Sequence, residues 1–274
     1  VGWNSVGTFA FMANNQGITI LLNIFFSTVV NAARGIATTV SSQVSGFVMN
    51  FQVAAGPQIY KLYAKGEYQQ MNRLVCNTAK YSSYLLILIG LPVFIKTEIL
   101  IKLWLGNIPE YVIPFIRITL IELFFKAIDF PIGNGIHAFG KMKLPNITSS
   151  IAYISVLPLT YIFLRLGASP VIAYIIACVS YPLAMACDLW ILNKFSGFDI
   201  KFYLLNVPLK SILIILLSAI LPVFVSNSFE DGWLNLILTS AVCAIVSAVL
   251  VFYIGLDAEM REKVLRKVKD KLAF

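Results

Sequence analysis

Eight long apolar runs constrain the fold of this chain more than any other feature of its sequence. A helix that crosses a membrane needs about 20 consecutive, mostly apolar residues, and every run reaches that length. Short connections that contain Gly, Pro or Asn separate several runs, and no alternation of period two is sustained. The sequence therefore predicts an all-α integral membrane protein with eight spans. The runs cover residues 3–27, 31–59, 77–104, 111–139, 144–166, 169–193, 206–226 and 232–255.

The composition supports this prediction, because charged residues are too few to cover the surface of a soluble fold. Only 12% of the residues are charged and 59% are hydrophobic, whereas an average soluble domain is about 25% charged. The net charge of +8 could suit nucleic acid, but the basic residues lie at the ends of apolar runs and form no patch. The 4 cysteines are dispersed and histidine occurs once, so we expect neither a metal site nor a cofactor.

The basic residues in the connections orient the chain in the membrane. If the chain starts at the cytoplasmic face, the cytoplasmic segments carry 15 of the 21 basic residues and the opposite face carries only Arg34, Lys96, Lys102 and Arg165. Because positive charge accumulates in cytoplasmic segments, this distribution predicts that both ends are cytoplasmic and that the number of spans is even. The cytoplasmic set is Lys61, Lys65, Arg73, Lys80, Lys141, Lys143, Lys194, Lys201, Lys210, Arg261, Lys263, Arg266, Lys267, Lys269 and Lys271.

A polar stripe follows one side of the second run. Its members recur at steps of three, four or seven residues, which places them on one face of a helix. A second set in the first run recurs at steps of four, so the two helices can enclose a hydrophilic groove. The alternative is that single members form hydrogen bonds between helices, as is common in membranes. The stripe is Asn31, Arg34, Thr38, Ser41, Ser45 and Gln52, and the second set is Asn15, Thr19 and Asn23.

Two features in these runs carry charge. Arg34 is always charged and suits a phosphate or another anion, although it could instead be a topology anchor at a helix end. Glu122, Lys126 and Asp129 share a face of the fourth predicted span at i, i+4 and i+7. Charges at such a depth are expensive unless paired or wetted. They predict either a proton- or cation-responsive site or a structural network that joins two helices.

The last residues, 257–274, have a different pattern. Met260, Val264, Val268 and Leu272 recur every four residues, and Lys and Arg fill the other sides. This pattern is typical of an amphipathic helix that lies on anionic lipid. The alternative is a solvated terminus that frays.

Several stretches resemble polysaccharide-biosynthesis flippases of the MATE-like multidrug/oligosaccharidyl-lipid/polysaccharide exporter superfamily. They are the segment Asn23–Glu67, which includes VNAARGIA and PQIYKLYAKGE, the segment LWLGNIPEY at Leu103–Tyr111, and the later stretches HAFGKMKL and LNKFSGFDIKFYL. The resemblance implies 12 to 14 helices in two six-helix lobes that work by alternating access. It implies a transporter that moves lipid-linked oligosaccharide across the bacterial inner membrane, and not an enzyme.

The same resemblance implies a division of this chain. Residues 1–193 would be the C-terminal six-helix lobe, residues 194–256 two additional transmembrane helices, and residues 257–274 a cytoplasmic amphipathic tail, with the N-terminal lobe absent. The expected partners are membrane lipid, the missing lobe and an undecaprenyl-pyrophosphate-linked oligosaccharide of the polysaccharide, lipopolysaccharide or O-antigen kind. Arg34 and Lys126 would help to hold its anionic group.

Other functions stay open at this point. A multidrug or cation antiporter of the same fold is the main alternative, with coupling to protons or Na⁺. A membrane glycan polymerase, ligase or acyltransferase is less favoured, because such enzymes usually carry a sizeable outer loop or several positioned basic and His residues. No nucleic-acid partner is expected.

Overall fold

A computed structural model describes residues 2–230 and 232–272, with side chains for all of these except residues 2–4, 6 and 267–272. Within these residues the chain forms helices and no strand, so the prediction of an all-α protein is confirmed. The helices are α1 (Gly2–Phe25), α2 (Thr28–Ala64), α3 (Tyr68–Ile95), α4 (Thr97–Leu105), α5 (Val112–Ala138), α6 (Lys143–Arg165), α7 (Val171–Ser196), α8 (Ile200–Leu204), α9 (Lys210–Ser228), α10 (Trp233–Leu250) and α11 (Ala258–Leu272).

In the part of the chain that the structure describes, five helical segments are long and apolar enough to cross a membrane, which makes this a multi-pass membrane protein. They are α3, α6, α7, Ile200–Ser228 and Trp233–Gly255. Helices α1, α2 and α5 are as long, with 24, 37 and 27 residues, but amides and hydroxyls in α1 and α2 and charges in α5 lower their hydropathy. For these three helices, membrane crossing stays a prediction. The count of eight spans therefore also stays a prediction.

Most of the predicted runs differ from the helices by a few residues at their ends, and two differ more, because one is divided and one is part of a longer segment. The run 77–104 is divided at Lys96 into the end of α3 and the short α4. Helix α3 also begins earlier than predicted, at Tyr68. The run 206–226 is part of a longer segment in which α8 and α9 join through a π-helical turn, Leu205–Leu209. Pro208 lies in that turn, and because proline has no N–H to donate, the wider turn accommodates the missing hydrogen bond.

Helix α5 is at the centre of the bundle. Helices α2, α3 and α7 pack against it, while α6 packs between α1 and α7. Gly17 allows the close approach of α1 to α6, because a Cβ atom there would lie 2.5 Å from Leu157 Cδ2. Helices α9 and α10 pack on each other and meet the rest of the bundle chiefly through α3. We call the end where α1 meets α2 the Ser27 end, and the opposite end, where α2 meets α3, the Lys65 end.

The segment after α10 is anchored to α3 at the Lys65 end. Lys80 Nζ lies 2.9 Å from Asp257 Oδ1, and the Lys80 side chain is only 3% exposed. The Tyr84 hydroxyl donates to the Gly255 carbonyl at 3.3 Å. Helix α11 follows with Met260 and Val264 exposed, and the side chains of Val268 and Leu272 lie outside the described residues. At its exposed start, a hydrogen bond from Lys263 lowers the pKa of Glu259.

Candidate functional site

The first polar group lies between α1 and α2 at the Ser27 end. Arg34 Nη2 donates to the Asn15 carbonyl oxygen at 3.1 Å and to Asn15 Oδ1 at 3.0 Å. Asn31 Nδ2 donates to the Thr19 carbonyl at 3.1 Å and to Asn23 Oδ1 at 2.5 Å. The structure therefore brings together Arg34 and Asn31 of α2 with all three predicted residues of α1. Asn15 fixes the orientation of the guanidinium, and no carboxylate pairs with Arg34 within the described part of the chain.

The hydroxyls of the stripe are satisfied within α2 itself. Thr38 Oγ1 donates to the Arg34 carbonyl at 3.0 Å, Ser41 Oγ to the Thr38 carbonyl at 3.1 Å, and Ser45 Oγ to the Ser42 carbonyl at 3.0 Å. Thr38 is exposed and the two serines are half-buried. Because these three hydroxyls donate to carbonyls of their own helix, these bonds join no neighbouring helix, and the hydroxyl oxygens can still accept from water or a ligand.

Gln52 differs from the other members of the stripe. Its side chain is 2% exposed, and Nε2 donates to the Ala127 carbonyl of α5 at 2.6 Å. This is the hydrogen bond between helices that we considered as the alternative for single stripe members. The stripe is thus divided into an accessible part near Arg34 and a buried, structural part at Gln52.

On α5, Glu122 and Lys126 form an ion pair, with Nζ 2.5 Å from Oε1. The Lys126 ammonium also lies 4.8 Å from the centre of the Tyr181 ring on α7. The Glu122 carboxylate interacts with the hydroxyl of the same tyrosine. The charge of Lys126 is therefore balanced by Glu122, which leaves Arg34 as the stronger candidate for an anion.

Asp129 is not part of this pair. It lies within electrostatic range of Asp188 of α7. Each has a buried Oδ1 that accepts no hydrogen bond, and the Asp188 residue is only 7% exposed. Two carboxylates so deeply buried cannot both stay charged unless a cation lies beside them, so this place favours binding of a proton or a cation.

Asp188 is the residue that the sequence analysis missed. It is the sole charged residue in the predicted run 169–193. Charged residues inside a span are rare and usually functional, so its isolation was a signal in the sequence. The sequence gives no signal for the pairing of Asp188 with Asp129, because this pairing depends on the packing of α5 against α7.

Three tyrosines lie between Arg34 and the acidic residues of α5 and α7. The Tyr174 hydroxyl interacts with Arg34 and, more distantly, with Glu122. The Tyr181 hydroxyl interacts with Glu122 and with Tyr153 of α6, and Tyr153 is within electrostatic range of both aspartates. We call this set the polar path. Its members are Arg34, Tyr174, Glu122, Lys126, Tyr181, Tyr153, Asp129 and Asp188.

Among the described residues, no group of three or more His, Cys, Asp or Glu side chains could hold a metal ion. The charged groups of the polar path are instead an arginine at one end, a balanced ion pair in the middle and a carboxyl pair at the other end. This arrangement can bind an anion and a small cation at separate places.

No family model matches the sequence, and a search of curated proteins also finds no match. Among solved structures, the chain is similar to "Lipid II flippase MurJ, inward closed conformation", with a TM-score of 0.69 and 14% sequence identity. The likeness covers 90% of this chain and 52% of that one. The chain therefore spans about half the length of the flippase, and it has a MurJ-like fold of membrane helices.

Proposed function

We propose that this protein translocates lipid-linked oligosaccharide, such as polysaccharide or O-antigen repeat units, across the bacterial inner membrane by alternating access. The observation that carries the proposal is Arg34, a fixed cation with no carboxylate partner in the described part of the chain, at one end of the polar path. The likeness to a lipid II flippase supports a transporter of lipid-linked substrate rather than an enzyme.

In this proposal Arg34 binds the pyrophosphate of the substrate. The guanidinium carries five donors in a rigid fork, and Asn15 uses only those of Nη2. The other nitrogens are left to Tyr174 and to a phosphate oxygen. The hydroxyls of Thr38, Ser41 and Ser45 continue the same face of α2 and would contact the sugar.

The proposed arrangement needs a second wall. Residues 1–193 would form a C-terminal six-helix lobe and residues 194–256 two additional helices, while an N-terminal lobe would face α1 and α2. The exposed side of α2 supports this, because Thr39, Ser42, Gln43 and Asn50 are exposed there and suit lipid poorly. Both ends of the chain would be cytoplasmic, as the basic residues indicate.

The test is transport of a fluorescent lipid-linked oligosaccharide by the full-length protein in proteoliposomes. We expect Arg34→Gln to reduce the initial rate by about tenfold or more, because one charge-assisted contact to phosphate is lost. Arg165→Gln is the matched control, since Arg165 also lies at the Ser27 end but is exposed and bonds to Tyr161 of its own helix. Equal rates for Arg34→Gln and the control would contradict the proposal.

A multidrug or cation antiporter is the second candidate, and the Asp129–Asp188 pair favours it. A buried carboxyl pair can take a proton or Na⁺ and, in an antiporter, an organic cation. In a flippase the same pair would couple transport to protons or Na⁺. Efflux of a lipophilic organic cation from proteoliposomes, with no transport of lipid-linked oligosaccharide, would select the antiporter.

A further inference from the structure

A long apolar cleft lies between α5 and α9, with α3 as its floor. Its volume is about 710 Å³, within the range of small-molecule sites, about 300–1,000 Å³. On α9 it extends from Ile212 to Asn227, or about 22 Å at 1.5 Å per residue. One leaflet of a bilayer has a hydrocarbon depth of about 15 Å. The cleft is thus long enough for a lipid chain that runs from the membrane surface toward its centre.

The polar end of the cleft contains Arg117. Its Nε atom is buried and makes no hydrogen bond, and its guanidinium lies 5.8 Å from the centre of the Phe94 ring. Ser226 and Asn227 line the same end. The Ser27 end of this cleft therefore carries the positive charge of Arg117, whose buried Nε lacks an acceptor, and this suits an anionic group.

The cleft and the polar path lie on different sides of α5. Residues Arg117, Ile121 and Phe124 face the cleft, whereas Glu122, Lys126 and Asp129 project about 140° away at 3.6 residues per turn. The rim of the cleft is continuous with the apolar surface of α9, where Leu216 and Ile220 are 62% and 66% exposed. The cleft is thus accessible from lipid and separate from the polar path.

We propose that this cleft binds an anionic phospholipid of the surrounding bilayer, with the phosphate on Arg117 and one acyl chain between α5 and α9. The occupant is a bilayer lipid because the cleft faces lipid and not the polar path. The bound lipid fills the space that α5 and α9 leave where both pack on α3, and so holds the α9–α10 pair against the bundle. This inference does not depend on the substrate that the protein transports.

The test compares lipid retention by the full-length protein in detergent, measured by native mass spectrometry after addition of phosphatidylglycerol or phosphatidylcholine. We expect the wild type to retain the anionic lipid and Arg117→Gln to weaken that retention by about tenfold. Arg165→Gln, which removes a charge at the same end outside the cleft, should retain it as the wild type does. Ala219→Phe, which fills the cleft, should block retention of both lipids, while Ala248→Phe on the exposed side of α10 should not.

Two results would overturn the proposal. One is equal retention of phosphatidylglycerol by the wild type, Arg117→Gln and Ala219→Phe, which would indicate unspecific lipid around the whole protein. The other is displacement of phosphatidylglycerol by an equimolar polyprenyl phosphate, which would assign the cleft to a substrate tail. Arg117→Lys provides a further check, since it keeps the charge and should restore part of the retention if the variants fold as the wild type does.

Discussion

The two ends of the polar path differ in how far their polar groups are hydrogen-bonded within the protein. Around Arg34, each amide and hydroxyl of the stripe donates to a nearby carbonyl or amide, so the donors are satisfied before any ligand binds, and only Asn31 Oδ1 is buried there without a partner among the described residues. At Asp129 and Asp188, each carboxyl group has a buried oxygen that accepts nothing. Satisfied groups cost little, whereas unsatisfied buried ones cost stability and persist only if something else requires them. The comparison indicates a preformed surface at one end and, at the other, a carboxyl pair that suits a proton or a cation.

The prediction with the largest expected effect concerns the Asp129–Asp188 end of the polar path. Asp188→Asn removes one of two buried carboxyl groups that lie within electrostatic range of each other, so the pair can no longer bind a proton or Na⁺ in the same way. We expect transport driven by an ion gradient to fall by more than tenfold, while the free energy of unfolding rises by about 1–2 kcal/mol, because a neutral amide replaces a buried carboxyl group whose charged form is costly. The measurements are gradient-driven uptake in proteoliposomes and thermal unfolding in detergent.

The combination of lost activity and gained stability distinguishes this pair from a structural network. Glu262→Gln is the control, since Glu262 is an exposed carboxylate of α11 and should change neither quantity. If Asp188→Asn lowered stability and left gradient-driven transport intact, the pair would be structural and the ion-coupling proposal would fail.

How far the sequence predicts this molecule can be judged from particular residues. Run length and hydropathy were sufficient for the helical fold, and helical spacing placed Asn15 and Arg34 on facing sides of neighbouring helices, because these properties are local. The break at Lys96 was not predicted, since both sides of it are equally apolar. The separation of Asp129 from Lys126 was also missed. Spacing along one helix cannot show which of its neighbours each side chain faces.

The third prediction concerns the structural part of the stripe. Gln52→Ala removes the hydrogen bond to the Ala127 carbonyl, which links α2 to α5 in a buried place. We expect the free energy of unfolding to fall by about 1–3 kcal/mol, because the carbonyl loses a partner that water cannot easily replace. Thermal unfolding measures this change. Gln43→Ala, at an exposed position of the same helix, serves as the comparison and should remain within about 0.5 kcal/mol of the wild type.

The smallest expected effect on stability belongs to the accessible hydroxyls. Thr38→Val and Ser41→Ala each remove a donor whose bond goes to the carbonyl of its own helix. Each should change the free energy of unfolding by less than about 0.5 kcal/mol, because such bonds add little to a helix that already has its backbone bonds. If the hydroxyls contact the sugar, the double variant should instead raise the substrate concentration needed for half-maximal transport, with the maximal rate nearly unchanged. A marked loss of stability without any change in transport would contradict this prediction, and it would show that these hydroxyls have a structural role like that of Gln52.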